Sequence, residues 1–295
     1  MALSATGMAP VPGTQNTVKE LLLPTDRLNE VSDSPVLDLQ LLLCQVLDCP
    51  RAALLANPDR TLDSEQQEKF DAFLQRRLRG EPVAYILGTK AFWDFELKVD
   101  RRVLIPRPET ELLVEKSLDC LGAKESQRLQ LLDLGTGSGA IAIALARHSR
   151  RWRVTATDRS EESLTLAAEN ALQLQADNIE FLRGSWFQQL KGRSFDLIVS
   201  NPPYVSADDP HLQADGLPFE PPDALIAADD GLACLTAIIE QARSHLNSGA
   251  WLLLEHGYEQ ADAVAKKMAE CGFLDIASWQ DLAGLDRVTA ARFDS

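Results

Sequence analysis

The sequence predicts an α/β protein: a mostly parallel sheet with one antiparallel strand, helices on both faces, and a small helical domain with a β-ribbon linker in front. Three observations carry this. From Gln130 onward short apolar runs alternate with helix-length amphipathic stretches, the pattern of β-α units joined by right-handed crossovers. The last two strand-like runs, Phe273–Ala277 and Arg287–Ala291, are joined through Asp281–Asp286, too short for a helical crossover, so they pair antiparallel. Residues 17–80 show only helical patterning, and 295 residues leave room for two compact domains.

Each element has a local reason. Val36, Leu37, Leu39, Leu41–Leu43, Val46 and Leu47 are densely apolar, as in a helix buried on most of its surface. A second helix spans Ser64–Leu78, with Ser64 and Gln67 as its capping box and Phe70, Phe73, Leu74 and Leu78 on one face. Gly80 and Pro82 stop it, and Arg76, Arg77 and Arg79 near its end favour the macrodipole. From Val83 to Ile105 aromatic and β-branched residues suggest the ribbon, and Pro108 suits the first turn of a helix running to Leu121. Strands follow at Leu131–Leu134, Val154–Thr157, Ile179–Leu182, Leu197–Ser200 and Trp251–Glu255, then the final pair. Helices are expected near Ser138–Ser149, Ser160–Leu174, Gly231–Leu246 and Glu259–Cys271. The domains are therefore expected at 21–82 (helical), 83–106 (ribbon) and 107–295 (α/β), after a disordered extension at 1–20.

Composition excludes several classes. With 45% hydrophobic and 25% charged residues the chain is neither collagenous nor intrinsically disordered. The longest apolar stretch, Gly139–Ala146, is too short to span a bilayer, and the residues before Lys19 lack the apolar core of a secretory signal. Cys44, Cys49, Cys120, Cys234 and Cys271 form no CxxC, and the four histidines form no HxH or HExxH. Reduced thiols, a cytoplasmic location and no metal site are expected. A net charge of −15 disfavours binding to phosphate backbones.

The chemistry concentrates in two loops. Asp133-Leu-Gly-Thr-Gly-Ser-Gly139 follows a strand and opens a helix, where glycines let backbone approach a ligand closely. Gly135, Gly137 and Ala140 also satisfy the dinucleotide spacing, so the loop alone leaves NAD open. Asp158, ending the next strand, suits two ribose hydroxyls with either ligand. Asn201-Pro-Pro-Tyr204, directly after a strand, decides between them. Asn201 offers its side-chain oxygen and Pro202 its carbonyl as two fixed acceptors, Pro203 stiffens the turn, and Tyr204 adds a flat ring. That set suits a planar NH2 whose lone pair is delocalised. Gripping both hydrogens and aligning the nitrogen with a sulfonium methyl is the pattern of S-adenosylmethionine-dependent amino methyltransferases, acting on adenine N6, cytosine N4 or glutamine N5. The reaction needs neither metal nor covalent intermediate.

Further segments narrow the choice. Gly80-Glu-Pro-Val-Ala-Tyr-Ile-Leu-Gly88, Phe92-Trp93, Leu104-Ile-Pro-Arg-Pro-Glu-Thr-Glu111, Ser200–Tyr204, Phe219-Glu-Pro221 and Leu254-Glu-His-Gly257 occur together and in order. From about Val36 to the C-terminus this set resembles the bacterial release-factor glutamine methyltransferases. The resemblance implies a Rossmann-like class I methyltransferase domain with a helical domain that helps dock the factor. It implies methyl transfer from S-adenosylmethionine to glutamine N5 in the Gly-Gly-Gln loop of class I peptide chain release factors. It also implies that Gly135, Thr136, Gly137, Ser138, Gly139, Asp158, Trp186 and Asn201 contact the cofactor, with Trp186 against adenine. By the same resemblance, Asn201, Pro202, Pro203 and Tyr204 hold the glutamine amide, and Asn201, Pro202 and Tyr204 are catalytic. Arg107, Glu109 and Thr110 either line the cofactor mouth or simply start a helix. One departure stands out: Asp215-Gly-Leu-Pro218 precedes Phe219 where the family commonly has a Gly-Asp-apolar-Arg stretch.

An adenine-N6 methyltransferase acting on DNA or RNA, a non-catalytic binding protein on the same fold, and an NAD oxidoreductase are the alternatives. The first should carry a basic groove. Instead, no Lys or Arg lies between Arg193 and Arg243, while Asp196, Asp208, Asp209, Asp215, Glu220, Asp223, Asp229, Asp230 and Glu240 do. Residues 1–106 carry a net −3 and residues 107–295 a net −12, so the acidity gathers beside the acceptor loop. A basic protein loop suits it better than nucleic acid does, or the segment is a solvated lid. The protein is expected to act as a monomer, without direct nucleic-acid or membrane partners.

Overall fold

The computed structural model describes residues 16–213 and 216–294. The chain divides into two compact units between Leu87 and Gly88.

The first unit is helical: α1 (Val18–Leu21), α2 (Asp26–Asn29), α3 (Pro35–Leu47), α4 (Arg51–Ala56), α5 (Ser64–Arg77) and α6 (Val83–Leu87). Val18, Leu28, Leu39, Leu42, Leu43, Leu54, Leu62 and Phe70 form its core. Four expectations are corrected here. Most of the extension expected to be disordered lies outside the described residues, but Thr17 caps α1 and Val18 is fully buried, so its last residues belong to the fold. The box that starts α5 is Asp63 with Gln66, because each side chain bonds the other's backbone N–H. The arginines do more than face a dipole. Arg77 is buried and its Nε meets Asp38 Oδ2 of α3 at 2.6 Å. Arg76 chelates Glu81 and donates to the carbonyls of Tyr85 and Ile86. Both tie α5 to neighbouring segments. Val83–Leu87 is a short helix rather than ribbon, since Pro82 opens it at its carbonyl.

In the second unit the ribbon is the hairpin β1 (Thr89–Phe92) and β2 (Phe95–Lys98), followed by α7 (Thr110–Leu121). Then come β3 (Gln130–Leu134), α8 (Ala140–His148), β4 (Arg153–Asp158), α9 (Glu161–Gln173), β5 (Ile179–Arg183) and β6 (Phe195–Ser200). The chain ends with α10 (Ala233–Ala242), β7 (Leu246–Glu255), α11 (Ala261–Glu270), β8 (Leu274–Gln280) and β9 (Asp286–Arg292). The sheet order is β5-β4-β3-β6-β7-β9-β8, and β9 alone runs against its neighbours, inserted between β7 and β8. The parallel core strands read as unbroken apolar runs because both faces are covered: Leu197–Val199 and Leu252–Leu254 are fully buried. Asn170 of α9 pins the hairpin, exchanging bonds with the backbone of Lys98. The five cysteines are free and half-buried. Among the described residues no helix is long and apolar enough to cross a membrane.

Candidate active site

Register brings the distant motifs level. Leu134 pairs with Thr157 on one side and Ser200 on the other, and Ser200 pairs with Leu254. The next residue along each strand is Gly135, Asp158, Asn201 and Glu255, so all four emerge along one line at the carboxyl edge of the sheet. In open α/β sheets that edge is where ligands bind. The Ser200 hydroxyl locks the join, donating to the Leu134 carbonyl at 2.6 Å.

The glycine loop is built from below by Asp133. Its Oδ2 accepts from the Thr136 hydroxyl at 2.6 Å and from the Ala142 N–H at 3.2 Å, tying the loop to the first turn of α8. Burial pushes this carboxyl up to about 7, against the lowering effect of those two donors. Gly135, Gly137 and Gly139 take φ of 73°, 54° and 86°. A Cβ at Gly137 would meet nothing within 4 Å, so this backbone faces open space. A Cβ at Gly135 would meet only the Trp186 ring, at 3.6 Å. Asp158 accepts from the Gly137 N–H at 3.0 Å and the Ser160 N–H at 2.9 Å. The expected cofactor residues thus converge, with a distinction among them. Thr136 and Ser138 are buried, the Thr136 hydroxyl is spent on Asp133, and the Ser138 carbonyl is held by Asn170 at 2.9 Å. What the loop offers a ligand is backbone. The bare glycine surface, a carboxylate at the end of β4 and an indole along one side fit a nucleoside-bearing cofactor.

Asn201-Pro-Pro-Tyr204 is gripped at both ends. Asn201 Nδ2 donates to the Thr110 hydroxyl at 3.0 Å, leaving its Oδ1 as the free acceptor. The Tyr204 hydroxyl donates to Glu255 Oε1 at 3.1 Å. Burial drives the Tyr204 phenol well above its usual range and the Glu255 carboxyl up to about 7. The Tyr204 carbonyl accepts from Gln260 Nε2 at 3.1 Å, and Gln260 Oε1 accepts from the Gly257 N–H. Behind it lies a left-handed run, Asp229, Asp230 and Gly231, with φ of 58°, 50° and 85°. A Cβ on Gly231 would fall 2.0 Å from the Tyr204 oxygen.

The sequence leaves Arg107 and Thr110 between two readings and gives Glu220 and Glu255 no role in the site. Thr110 starts α7, as its helix-start reading requires, and also holds Asn201. Arg107 pairs with the buried Glu220 at 2.5 Å, and Glu220 also accepts from the Ile105 N–H. The signal for Glu220 and Glu255 was present: each is an acid embedded among apolar residues or prolines. The acidic segment is partly neutralised, because Glu220 pairs with Arg107, Asp223 with Arg159 and Glu240 with Lys267. Asp208, Asp229 and Asp230 are exposed, and Asp215 lies outside the described residues.

Known proteins match this chain along nearly all its length. Residues 24–88 match the PrmC N-terminal domain family and residues 109–215 the Methyltransferase small domain family. The release factor glutamine methyltransferase of Coxiella burnetii is 47% identical over 268 residues, 91% of this chain and 95% of that protein. The one of Vibrio cholerae is 48% identical over 263 residues, 89% and 91% of the two chains. Among solved structures, a ribosomal protein L11 methylase from Lactobacillus delbrueckii subsp. bulgaricus shares the fold, with a TM-score of 0.50 and 24% identity over 68% of this chain and 86% of that one.

Proposed function

The chain belongs to the release factor glutamine methyltransferases, and from that membership we propose that it methylates N5 of the glutamine in the Gly-Gly-Gln loop of class I release factors. The observation that carries the assignment to a site is the placement of Asn201–Tyr204 one residue beyond the Leu134–Ser200 pair, beside the glycine loop, with Asn201 Oδ1 free to accept.

The cofactor cradle would be backbone at Gly135–Gly139, with Asp158 toward ribose and Trp186 toward adenine. S-adenosylmethionine bound there would supply an electrophilic sulfonium methyl and leave as the neutral thioether S-adenosylhomocysteine. The chain's own task is to make an amide nitrogen nucleophilic. Its lone pair is delocalised into the carbonyl, so the nitrogen must lose planarity as the new bond forms. Asn201 Oδ1 and the Pro202 carbonyl each take one N–H, favour pyramidal nitrogen and absorb its developing positive charge, and the methylated nitrogen then loses one of its two protons to solvent. Fixing the nitrogen in line with the methyl removes an entropic barrier worth ~7–11 kcal/mol in favourable cases. Tyr204, anchored through its hydroxyl, holds the amide plane from one side.

The acceptor is tested by supplying labelled S-adenosylmethionine with an unmodified class I release factor, its Gly-Gly-Glu variant, adenine-rich DNA, or RNA. Label should enter the unmodified factor alone. Label in nucleic acid with none in the factor would overturn the proposal.

A further inference from the structure

The Tyr204 ring can hold an amide plane only if the backbone that carries it stays put. Thr110 grips the Asn201 side chain and Glu255 the Tyr204 hydroxyl, but neither bond reaches the backbone at the loop's far end. That end is the Tyr204 carbonyl, and a side chain from beyond β7 takes hold of it.

Gln260 stands just before α11 and makes no capping bond to that helix. Its Oε1 accepts from the Gly257 N–H at 2.9 Å, three residues back, which anchors the amide to its own turn. Nε2 therefore faces the other way. It donates to the Tyr204 carbonyl at 3.1 Å and the Asp230 carbonyl at 3.2 Å, 56 and 30 residues distant in the chain. Backbone N–H groups only donate and carbonyls only accept, so the partners fix the direction of all three bonds. A primary amide meets this demand without a charge: two donors on one nitrogen, with an acceptor beside it. Asparagine carries the same group on a stem one methylene shorter.

The surroundings are packed for this clip. A Cβ on Gly231 would fall 2.0 Å from the Tyr204 oxygen and 2.7 Å from Gln260 Nε2, so glycine is what lets the three meet. Asp229 and Asp230, just ahead of it, hold left-handed φ of 58° and 50°, a strained conformation that persists where neighbouring structure imposes it. The bond to the Asp230 carbonyl is one such constraint.

We infer that Gln260 is a positioning residue for methyl transfer: it clips the Tyr204 end of the acceptor loop to the Asp229–Gly231 turn and so keeps the ring in place against the substrate amide. The inference rests on the proposed role of Asn201–Tyr204 and adds the group that holds its far end. It also ties the turn bearing the exposed Asp229 and Asp230 side chains to the loop that does the chemistry.

The test uses Gln260→Met, which keeps the length and loses all three bonds, and Gln260→Glu, which turns an oxygen toward both carbonyls. Tyr204→Ala and Tyr204→Ala/Gln260→Met complete the set. Turnover on a class I release factor, affinity for S-adenosylmethionine by calorimetry, thermal melting, and hydrogen exchange are measured for each. Gln260→Met should lose about tenfold in kcat, the scale of lost oriented hydrogen bonds. Its KM and cofactor affinity should stay within about threefold, because the contact acts on the transition state and leaves the glycine loop alone. Gln260→Glu should lose more, since repulsion replaces attraction. In both, exchange should quicken together at residues 204–206 and 229–232. Where Tyr204→Ala has already removed the ring, Gln260→Met should cost nothing further. Full kcat in both single variants, unchanged exchange at either segment, or losses that multiply with that of Tyr204→Ala would overturn the inference. A fall in cofactor affinity equal to the fall in kcat would mark general loosening and overturn it as well. A wild-type protein inactive on the factor would instead overturn the proposed function, and the exchange measurement would still judge the clip.

Discussion

Asn201 carries the acceptor in this site that is both oriented and open, its Nδ2 being held by the Thr110 hydroxyl. Asn201→Ala should cut turnover at least ~100-fold, the scale of a lost transition-state contact. Cofactor affinity by calorimetry should stay within about threefold, and unchanged turnover would remove Asn201 from the mechanism. Asp133 gives a prediction of opposite character. Its folded pKa of about 7 lies above its ordinary value of 3.8, so the folded protein holds the proton more tightly than the unfolded chain. Its contribution to stability is present below pH ~4 and is lost as pH rises through about 7. Asp133→Asn should therefore flatten the fall in stability across that window, measured by denaturant titrations at several pH values; an unaltered slope would contradict it. Glycine spacing, Asp158 and the N-P-P-Y string were legible in sequence because each needs only its own strand end. Thr110, Glu220 and Glu255 stand out in sequence by type or position, but what each holds was not legible, because their partners lie 91, 113 and 51 residues away in the chain.

At the scale of elements, strands and helices of the larger unit follow the expected order, and the antiparallel final pair follows from a connection too short to cross over. Tertiary bonds set what sequence pattern misplaced. The α5 cap moved to Asp63 because an aspartate–glutamine pair satisfies two backbone donors there. The arginines at its end were assigned to a dipole because burial of Arg77 against Asp38, 39 residues away, has no local signature. The left-handed run at Asp229–Gly231 was likewise invisible, and it makes a sharp prediction. Gly231→Ala puts a Cβ into the Tyr204 carbonyl at a φ that already strains an L residue. It should cost more than ~2 kcal/mol of stability, or displace Tyr204 and reduce kcat where the fold tolerates it. Normal melting and normal turnover together would show that this turn does not support the loop.

Across the whole molecule the excess of 15 negative charges becomes a distribution. Part of the acidity near the acceptor loop is paired, Glu220 in the interior with Arg107 and Asp223 at the surface with Arg159. What faces solvent there includes Asp208, Asp229 and Asp230. Neutralising these three to Asn should slow association with a release factor several-fold at low salt, and the difference should fade near physiological salt as screening shortens its reach to about 8 Å. A salt-independent rate would return the segment to the role of a solvated lid. The chemistry amounts to a single methyl on a single nitrogen, which tandem mass spectrometry can locate. After incubation with S-adenosylmethionine and an unmodified class I release factor, one added methyl should map to the side-chain amide of the Gly-Gly-Gln glutamine. An unmodified peptide, or a methyl placed on any other residue, would contradict it.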